Sequence, residues 1–208
     1  MSPADEAMTR YAQGDASAFD AVYEGVAPRL ERYLRRHQRG GAARVEDIIQ
    51  QTFLQMHAAR GTFIVGAQVF PWALAIARRL MLDVGRKARR EEPLDMDDDD
   101  DLGTRELMRA VSGEALLEAR EIGACLSAAF ERLSAPQRLA FELVKIEGLS
   151  QAQAAMVAGT SVTGIKLRVH RAYVALRAAL DEALRPALAP PRASRSNPGG
   201  LLPAGGQR

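Results

Sequence analysis

A short stretch in the last third of the sequence carries side chains that suit contact with the edges of DNA bases. The stretch GTSVTGIKLRVHRAYVALRAAL occupies residues 159–180. The candidate contacts within it are Thr163, Lys166, Leu167, His170 and Arg171. Lysine and arginine donate to the acceptors of guanine or hold phosphate, whereas leucine makes only apolar contact, for example with a thymine methyl group. For His170, an ordinary solvent-facing position is the alternative interpretation.

Two helices joined by a tight turn would present these side chains. Ser150 can cap the first helix with Gln153 three residues further on, as in a capping box, and Gly159 ends that helix. Ser161 caps a second helix that reaches about Ala183. The apolar residues available as a packing seam are Ala154, Ala155, Val157, Val162, Ile165 and Val169. This is the helix-turn-helix pattern, in which the second helix enters the major groove with its N-terminal residues facing the bases.

A second group of candidates is a run of cations near the middle of the chain. The run RRLMLDVGRKARR occupies residues 78–90. Its basic residues are Arg78, Arg79, Arg86, Lys87, Arg89 and Arg90. Such a cluster can bind a phosphate backbone. The alternative is a solvated helix end whose cations interact favourably with the C-terminal dipole.

Three amphipathic helices are predicted to position these cations. Apolar residues recur at three- and four-residue intervals, which indicates one buried face on each helix. The first helix has Phe19, Val22, Tyr23, Val26, Leu30, Tyr33 and Leu34, the second has Val45, Ile48, Ile49, Phe53 and Met56, and the third has Ala73, Ile76, Ala77, Leu80, Met81 and Val84. Pro71 is tolerated in the first turn of the third helix, and Trp72 fits its core better than it fits a stacking platform. Three helices with short connections predict a small bundle.

An acidic stretch separates the two helical parts of the chain. From Glu91 to about Glu121 the composition turns acidic, with DMDDDDD at residues 95–101, as is typical of a linker. Beyond Arg185 the content of Pro, Gly, Ser and Ala predicts a disordered tail. The predicted fold class is all-α: two small helical bundles joined by an acidic linker, the C-terminal one containing the helix-turn-helix. The predicted boundaries are 1–92 for the first bundle, 93–123 for the linker, 124–185 for the second bundle and 186–208 for the tail.

Composition limits the classes of function. The 208 residues carry a formal net charge of only +2, and their single cysteine, Cys125, excludes an internal disulfide and a cysteine-based zinc site. The N-terminus has no apolar core of the kind a signal peptide needs, and no apolar run reaches the roughly twenty residues of a membrane span. We therefore expect a cytoplasmic protein without membrane insertion. Phosphate-loop and zinc-protease motifs are missing, so no enzyme, cofactor or metal site is predicted.

Four segments in order resemble the extracytoplasmic-function (ECF) sigma factors of bacterial RNA polymerase, over about residues 14–183. GDASAFDAVYEGVAPRLERYLRR resembles the first conserved segment of that family, and RVEDIIQQTFLQMHAA the segment that docks on the polymerase clamp helices. FPWALAIARRLMLDVGRKARR resembles the segment that melts and reads the minus-ten promoter element. The text from LSAPQRLAF to AYVALRAAL resembles the module that reads the minus-thirty-five element. The first bundle then corresponds to sigma region 2 and the second to sigma region 4.

The resemblance implies a role for the polar face of the second helix and for the cations that follow. The residues implied in binding core polymerase are Asp47, Gln50 and Gln51, with Phe53 buried behind them. Those implied near the minus-ten element are Phe63 with the loop after it, Arg78, Arg79 and Arg86. An extruded base costs a few kcal/mol to unstack, so it needs a pocket and cations on its backbone.

Two positions depart from the family pattern. Gln51 stands where the family usually has an acid, and Arg79 where asparagine is common. The second departure bears on which minus-ten base is preferred, because arginine and asparagine present different donors to a base edge.

The sequence therefore predicts an ECF-type sigma factor that binds core RNA polymerase and directs promoter-specific transcription initiation. The resemblance also implies control by an anti-sigma factor. A helix-turn-helix repressor is the first alternative, but it leaves the N-terminal bundle without a task and would usually bind DNA as a dimer. A helical adaptor is the second, but it would not need the surface from Lys166 to Arg171.

Overall fold

The structure, a computed structural model, describes residues 1–37, 41–91 and 115–188, with side chains placed up to residue 86 in the second range and from 122 to 185 in the third. Helices account for nearly all of these residues, and no strand occurs among them. The all-α prediction is confirmed. None of the helices in these ranges is both long and apolar enough to cross a membrane.

Four helices form the N-terminal bundle. They are α1 (Pro3–Ala12), α2 (Phe19–His37), α3 (Gly41–Ala59) and α4 (Val69–Glu91), with 3-10 turns at Ala16–Ala18 and Arg60–Thr62. The apolar stripes predicted for α2, α3 and α4 supply most of the core, and its largest fully buried side chains include Tyr33, Leu30, Leu34 and Leu74. Pro71 lies in the first turn of α4, where its missing N–H breaks no helical hydrogen bond. The bundle thus buries one face of each helix against the others.

Helix α1 was not predicted from the sequence. Its buried residues are Ala4, Asp5, Ala7, Met8 and Tyr11, a stripe at the spacing of a helical face. Ser2 caps the helix in a capping box with Asp5. The Asp5 carboxylate also accepts a hydrogen bond of 2.8 Å from the Val69 N–H at the start of α4. Burial alone would raise the pKa of Asp5, but the N–H groups of Ser2 and Val69 lower it. This buried carboxylate therefore ties the two helix starts together.

The C-terminal bundle begins with a helix that starts within the range predicted as linker. It contains α5 (Ala115–Glu131), α6 (Ala135–Phe141), α7 (Gln151–Ala158) and α8 (Val162–Leu188), with a π-helical segment at Glu142–Ile146 between α6 and α7. The predicted linker range 93–123 overlaps the first turns of α5, and α8 runs past the predicted end at 185. Apolar periodicity alone does not locate such frayed boundaries. The acidic run 95–101 and the tail from residue 189 lie outside the described residues.

The two bundles pack against each other. Helix α7 lies on α4, and one apolar core continues from the N-terminal bundle into the C-terminal one. Its members on the C-terminal side include Ala140, Leu143, Leu149, Ala154 and Ile165. The sequence did not predict this contact, because a helical stripe indicates that a face is buried but not which helix covers it.

Candidate nucleic-acid interface

The helix-turn-helix forms through the local signals that predicted it. The Ser150 hydroxyl accepts a hydrogen bond of 3.3 Å from the Gln153 N–H, and the Gln153 side chain accepts one of 2.9 Å from the Ser150 N–H. Gly159 ends α7 in the left-handed conformation, with φ of +61°, which an L side chain rarely adopts. The Ser161 hydroxyl then accepts a bond of 3.0 Å from the Gly164 N–H at the start of α8. Both caps and the turn are therefore as predicted.

One face of α8 presents all five residues predicted to contact duplex DNA. The exposed side chains are those of Thr163, Lys166, Leu167, His170 and Arg171. Ile165 and Ala172 are fully buried behind them and anchor the helix on the bundle. Val162, expected in the packing seam, is instead exposed, as is Met156 at the end of α7. These two side chains add exposed apolar surface beside the turn. The periodicity of the sequence placed Val162 on the buried face of α8, but Val162 is the first residue of that helix.

The three cations predicted for the minus-ten element lie together on α4. Arg78, Arg79 and Arg86 line a cleft of about 240 Å³, closed on its other side by α7 residues 156–159. Arg79 and Arg86 are exposed, whereas Arg78 is half-buried. Arg86 also pairs with Asp83 on the exposed face of the helix. The side chains of Lys87, Arg89 and Arg90 lie outside the described residues. The arginines of this cleft can bind a phosphate backbone. However, α7 lies opposite them and leaves a nucleic-acid strand little room to enter.

The loop that follows Phe63 and precedes α4 presents exposed apolar side chains. Phe63 is 8% exposed and its ring packs on Trp72, with 5.3 Å between the ring centroids. The ring is thus held beneath the loop by Trp72, and the place of Phe63 near the minus-ten element remains a prediction. The neighbouring Ile64 and Val65 are 76% and 59% exposed. Trp72 packs against the core, as the sequence indicated.

A groove of about 850 Å³ runs between α1, α2 and α3. Three of the four residues predicted to bind polymerase line it: Asp47 and Gln50 at the rim, and the buried Phe53 at the floor. Gln51 is exposed but does not line the groove. Within the described ranges, no group of three or more His, Cys, Asp or Glu side chains is placed to hold a metal ion.

Aromatic rings form the floor of this groove. Tyr23 and Phe53 lie with ring centroids 4.7 Å apart, and Phe19 meets Phe53 edge-on at 6.0 Å. Tyr11 hydrogen-bonds the His57 ring at one end. Leu54 projects into the groove with 55% of its surface exposed. An apolar floor with a polar rim suits the face of a partner helix. Tyr11 and Leu54 were not predicted from the sequence, although Leu54 lies one helical turn from Gln50.

Comparison with known proteins identifies the same two halves. Residues 22–91 match the family Sigma-70 region 2, and residues 123–176 match Sigma-70, region 4. The chain is 31% identical to the RNA polymerase sigma factor CarQ of Myxococcus xanthus, over 84% of this chain and 96% of that protein. It is also 31% identical to the ECF RNA polymerase sigma factor SigF of Caulobacter vibrioides, over 81% of this chain and 89% of that one.

Two solved structures share the fold. CnrH, in complex with the cytosolic domain of CnrY, superposes with a TM-score of 0.56 at 23% identity, covering 87% of this chain and 99% of CnrH. The sigma factor RpoE of Bartonella quintana, in complex with the anti-sigma factor NepR, has a TM-score of 0.53 at 24% identity, covering 80% and 96%.

Both sigma regions are thus present in the expected order, and the helix-turn-helix lies within the second match. The relatives match over nearly their whole length. The protein acts in transcription initiation, where it binds core RNA polymerase and promoter DNA. The chain belongs to the ECF family of RNA polymerase sigma factors.

Proposed function

We propose that the two bundles divide promoter recognition between three surfaces of the described residues. The α8 face reads the duplex at the minus-thirty-five element, the α4 cations and the loop before them hold the melted minus-ten strand, and the groove between α1, α2 and α3 docks on core polymerase. The observation that carries the proposal is the exposure of all five predicted α8 contacts on one helix whose cap and turn are those of a helix-turn-helix.

On α8, the charged pair and the apolar residue have different tasks. Lys166 and Arg171 are long enough to reach guanine acceptors or phosphates in the major groove. Leu167, 47% exposed between them, can contact only an apolar group such as a thymine methyl. Thr163 lies at the N-terminal end of α8, the end that approaches base edges in this motif.

At the minus-ten element, backbone and base are held by different groups. Arg79 and Arg86, both exposed on α4, neutralise phosphates of the melted strand. Ile64 and Val65 supply exposed apolar surface in the loop, against which an unstacked base can pack. The buried ring of Phe63, packed on the partly buried Trp72, supports the loop beneath them.

The groove docks on core polymerase by helix-in-groove packing. Leu54 and the aromatic floor provide the apolar contact, and Asp47 and Gln50 at the rim provide the polar contacts that orient the partner. Gln51, on the neighbouring exposed face, contacts the partner outside the groove.

Control by an anti-sigma factor is the remaining part of the proposal. CnrH and the Bartonella RpoE were both solved with a bound partner, CnrY in the first case and the anti-sigma factor NepR in the second. This chain shares their fold. We infer that a partner of this kind covers the DNA-reading or polymerase-binding surface, and that the protein works in the cytoplasm, where core polymerase is.

Run-off transcription tests the function directly. Core bacterial polymerase is assayed with and without this protein on promoter-bearing fragments of the host genome. Specific initiation from a subset of fragments that share a minus-thirty-five and a minus-ten element is expected. Sequence-specific DNA binding by the free protein, without any stimulation of core polymerase, would instead support a repressor.

A further inference from the structure

The π-helical segment after α6 brings two glutamates to the same side of the chain. The Glu147 N–H donates a hydrogen bond of 2.8 Å to the Glu142 carbonyl, which closes the wide turn. Five residues along an α-helix would leave the two side chains about 140° apart, whereas the i to i+5 bond returns the chain almost over its start. Gly148, with φ of +69°, then turns the backbone away toward α7. Such π segments occur frequently at functional sites.

Glu147 meets two arginines of α2. Its carboxylate pairs with the Arg36 guanidinium and lies 3.7 Å from that of Arg29. Arg29 also donates a hydrogen bond of 3.0 Å to the Glu147 carbonyl, and its guanidinium stacks 3.5 Å from the ring centroid of Phe70. Arg29 and Arg36 are seven residues apart on α2, so they share one face of that helix. A single glutamate of the C-terminal bundle therefore binds two arginines that lie two helical turns apart on α2.

Glu142 meets the last residue of α2. Its carboxylate lies 2.8 Å from the Nε2 atom of His37, whose Nδ1 atom lies 2.7 Å from the Tyr33 carbonyl. The His37 ring stacks on Tyr33 with 4.2 Å between centroids. Only 9 to 14% of each of the four side chains Arg36, His37, Glu142 and Glu147 is exposed. The two carboxylates and their partners are thus held inside the contact between the bundles.

These contacts hold the two DNA-binding parts close together. Helix α7 of the helix-turn-helix packs on α4, where it narrows the cleft of the minus-ten cations, and Gln153 donates a hydrogen bond of 2.6 Å to Gln68 before α4. The centres of a minus-ten and a minus-thirty-five element are about 25 base pairs apart, or roughly 85 Å of duplex at 3.4 Å per pair. Bundles in direct contact cannot reach both elements at once. The covalent connection permits separation, since residues 92–114 could span roughly 80 Å if extended.

We propose that Glu142 and Glu147 form a carboxylate latch on Arg29, Arg36 and His37, that this latch holds the free protein closed, and that core polymerase binding opens it. This inference rests on the function proposed above and adds its regulation. The latch is an autoinhibitory contact within one chain, distinct from any surface that a separate partner covers.

The polar character of the latch makes the closure reversible. Paired charges lose much of their attraction to desolvation, and both partners regain hydration when the bundles part. Three buried polar atoms of the described residues, Tyr33 Oη, Arg36 Nε and Arg78 Nε, have no hydrogen-bond partner, and their side chains all line a cavity of about 270 Å³ between the bundles. Opening would hydrate these atoms as well. The closed arrangement of the bundles is therefore well defined in geometry, but its free energy is only slightly lower than that of the open one.

The chain carries a natural pair of probe positions for this opening. Trp72, its only tryptophan, lies on α4, and Cys125, its only cysteine, lies on α5 of the other bundle. Energy transfer from Trp72 to a thiol-linked acceptor on Cys125 reports the separation of the bundles. The free protein should show efficient transfer. Saturating core polymerase should reduce it, after subtraction of the signal of a labelled Trp72→Phe variant in the same complex, which reports transfer from tryptophans of the polymerase.

Neutral isosteres of the two glutamates test the latch itself. The double variant Glu142→Gln/Glu147→Gln should show reduced energy transfer in the absence of polymerase. In run-off transcription, the concentration of the variant that gives half-maximal initiation should fall about tenfold while the maximal level of initiation stays unchanged. The reason is that apparent affinity for core polymerase scales with the fraction of the protein that is open. The matched control, Glu24→Gln/Glu182→Gln, removes two exposed carboxylates and should behave as the parent. Circular dichroism confirms that each variant is folded, and the charge exchange Arg36→Glu/Glu147→Arg should restore transfer relative to either single change.

The outcomes separate this inference from the function on which it rests. If the parent directs initiation but the glutamine variant keeps both its energy transfer and its half-saturating concentration, the latch is wrong and the sigma function stands. If core polymerase initiates with neither protein, the proposed function fails, whatever the energy transfer shows. Efficient transfer that persists in the polymerase complex would also overturn the latch.

Discussion

The Nε2 atom of His37 lies 2.8 Å from a carboxylate oxygen of Glu142, although 105 positions separate the two residues. This pair joins the last turn of α2 to the first residue of the π-helical segment. It is the one contact of the latch whose charge can change near neutral pH, because the ordinary pKa of histidine lies there. The groups of fixed charge that line the same cavity are Arg36, Arg78, Glu131, Arg138, Glu142 and Arg168.

We expect the closed state to weaken as pH rises through the neutral range. Burial alone would lower the pKa of His37, but the hydrogen bond and charge of Glu142 raise it above its ordinary value. Because the pKa of His37 is raised in the closed state, protonated His37 stabilises that state fully below its ordinary pKa of about 6.5. This stabilisation is lost as pH rises through the raised pKa. Burial raises the pKa of Tyr33, so its phenol does not titrate there.

Energy transfer from Trp72 to labelled Cys125, measured against pH, checks this expectation. The parent should show falling transfer from acidic to alkaline pH. The variant His37→Gln keeps a donor to Glu142 without a titrating ring and should give a flat profile. A profile of the same shape in both proteins would assign the pH dependence to another group.

Removal of either cation from the α8 face should weaken promoter use. Lys166→Ala or Arg171→Ala is expected to cost about 1 to 3 kcal/mol of promoter binding, roughly 5- to 150-fold, because each side chain can reach a base or phosphate. Binding to core polymerase should be unchanged, since the groove lies on the N-terminal bundle and these residues lie on the C-terminal one. Arg177→Ala is the matched control further along α8, where the side chain is exposed and pairs only loosely with Asp181 at 3.9 Å. If all three variants lost the same promoter affinity, α8 would contribute only non-specific electrostatic attraction to DNA.

The exposed leucine of the groove should matter for core polymerase and not for folding. Leu54→Ser is expected to lower affinity for core polymerase by more than about 1 kcal/mol, because it removes apolar contact at the centre of the proposed docking site. The free energy of unfolding should change by less than about 0.5 kcal/mol, as at most exposed positions. Val174→Ser, which removes an equally exposed apolar side chain on α8, should leave affinity for core unchanged. Both quantities follow from a binding titration and urea unfolding.

A close approach of α1 and α2 depends on a glycine. A Cβ atom at Gly25 would lie 2.5 Å from the Cβ atom of Ala4, so Gly25→Ala should displace α1 and lower the free energy of unfolding by about 1 to 3 kcal/mol. Gly85→Ala is the control, because its Cβ would meet nothing within 4 Å in the middle of α4. That change should stabilise the protein by up to about 1 kcal/mol, since alanine is the better helix former. Unfolding in urea distinguishes the two, and a stabilised Gly25→Ala variant would show that α1 yields without strain.

The helix-turn-helix was predictable because its signals are local. Ser150 and Gln153 cap α7 within one turn, and Gly159 supplies the left-handed turn itself. Each of these interactions joins residues within three or four positions of one another, so residue types and spacing are enough to specify them. The exposure of Lys166 and Arg171 follows once the buried face of α8 is known.

Two features of the N-terminal bundle could not be predicted from the sequence. The buried stripe of α1, which includes Ala4, Ala7, Met8 and Tyr11, is short and consists largely of small side chains, so its periodicity is too weak to predict a helix. Phe63 was predicted at the DNA surface, and its burial depends on Trp72 arriving from the next helix.

The amino-acid sequence by itself determined most of the helices, the caps of α7 and α8, the helix-turn-helix and the cationic and polar faces, since periodicity and capping involve near neighbours. Only the tertiary structure decided that α7 covers α4, and that Glu147 reaches Arg36 across 111 positions. The i to i+5 turn that aligns Glu142 with Glu147 leaves no mark in residue types that periodicity can detect. The partner of a buried charge depends on how two bundles dock, and no pattern within either bundle specifies that.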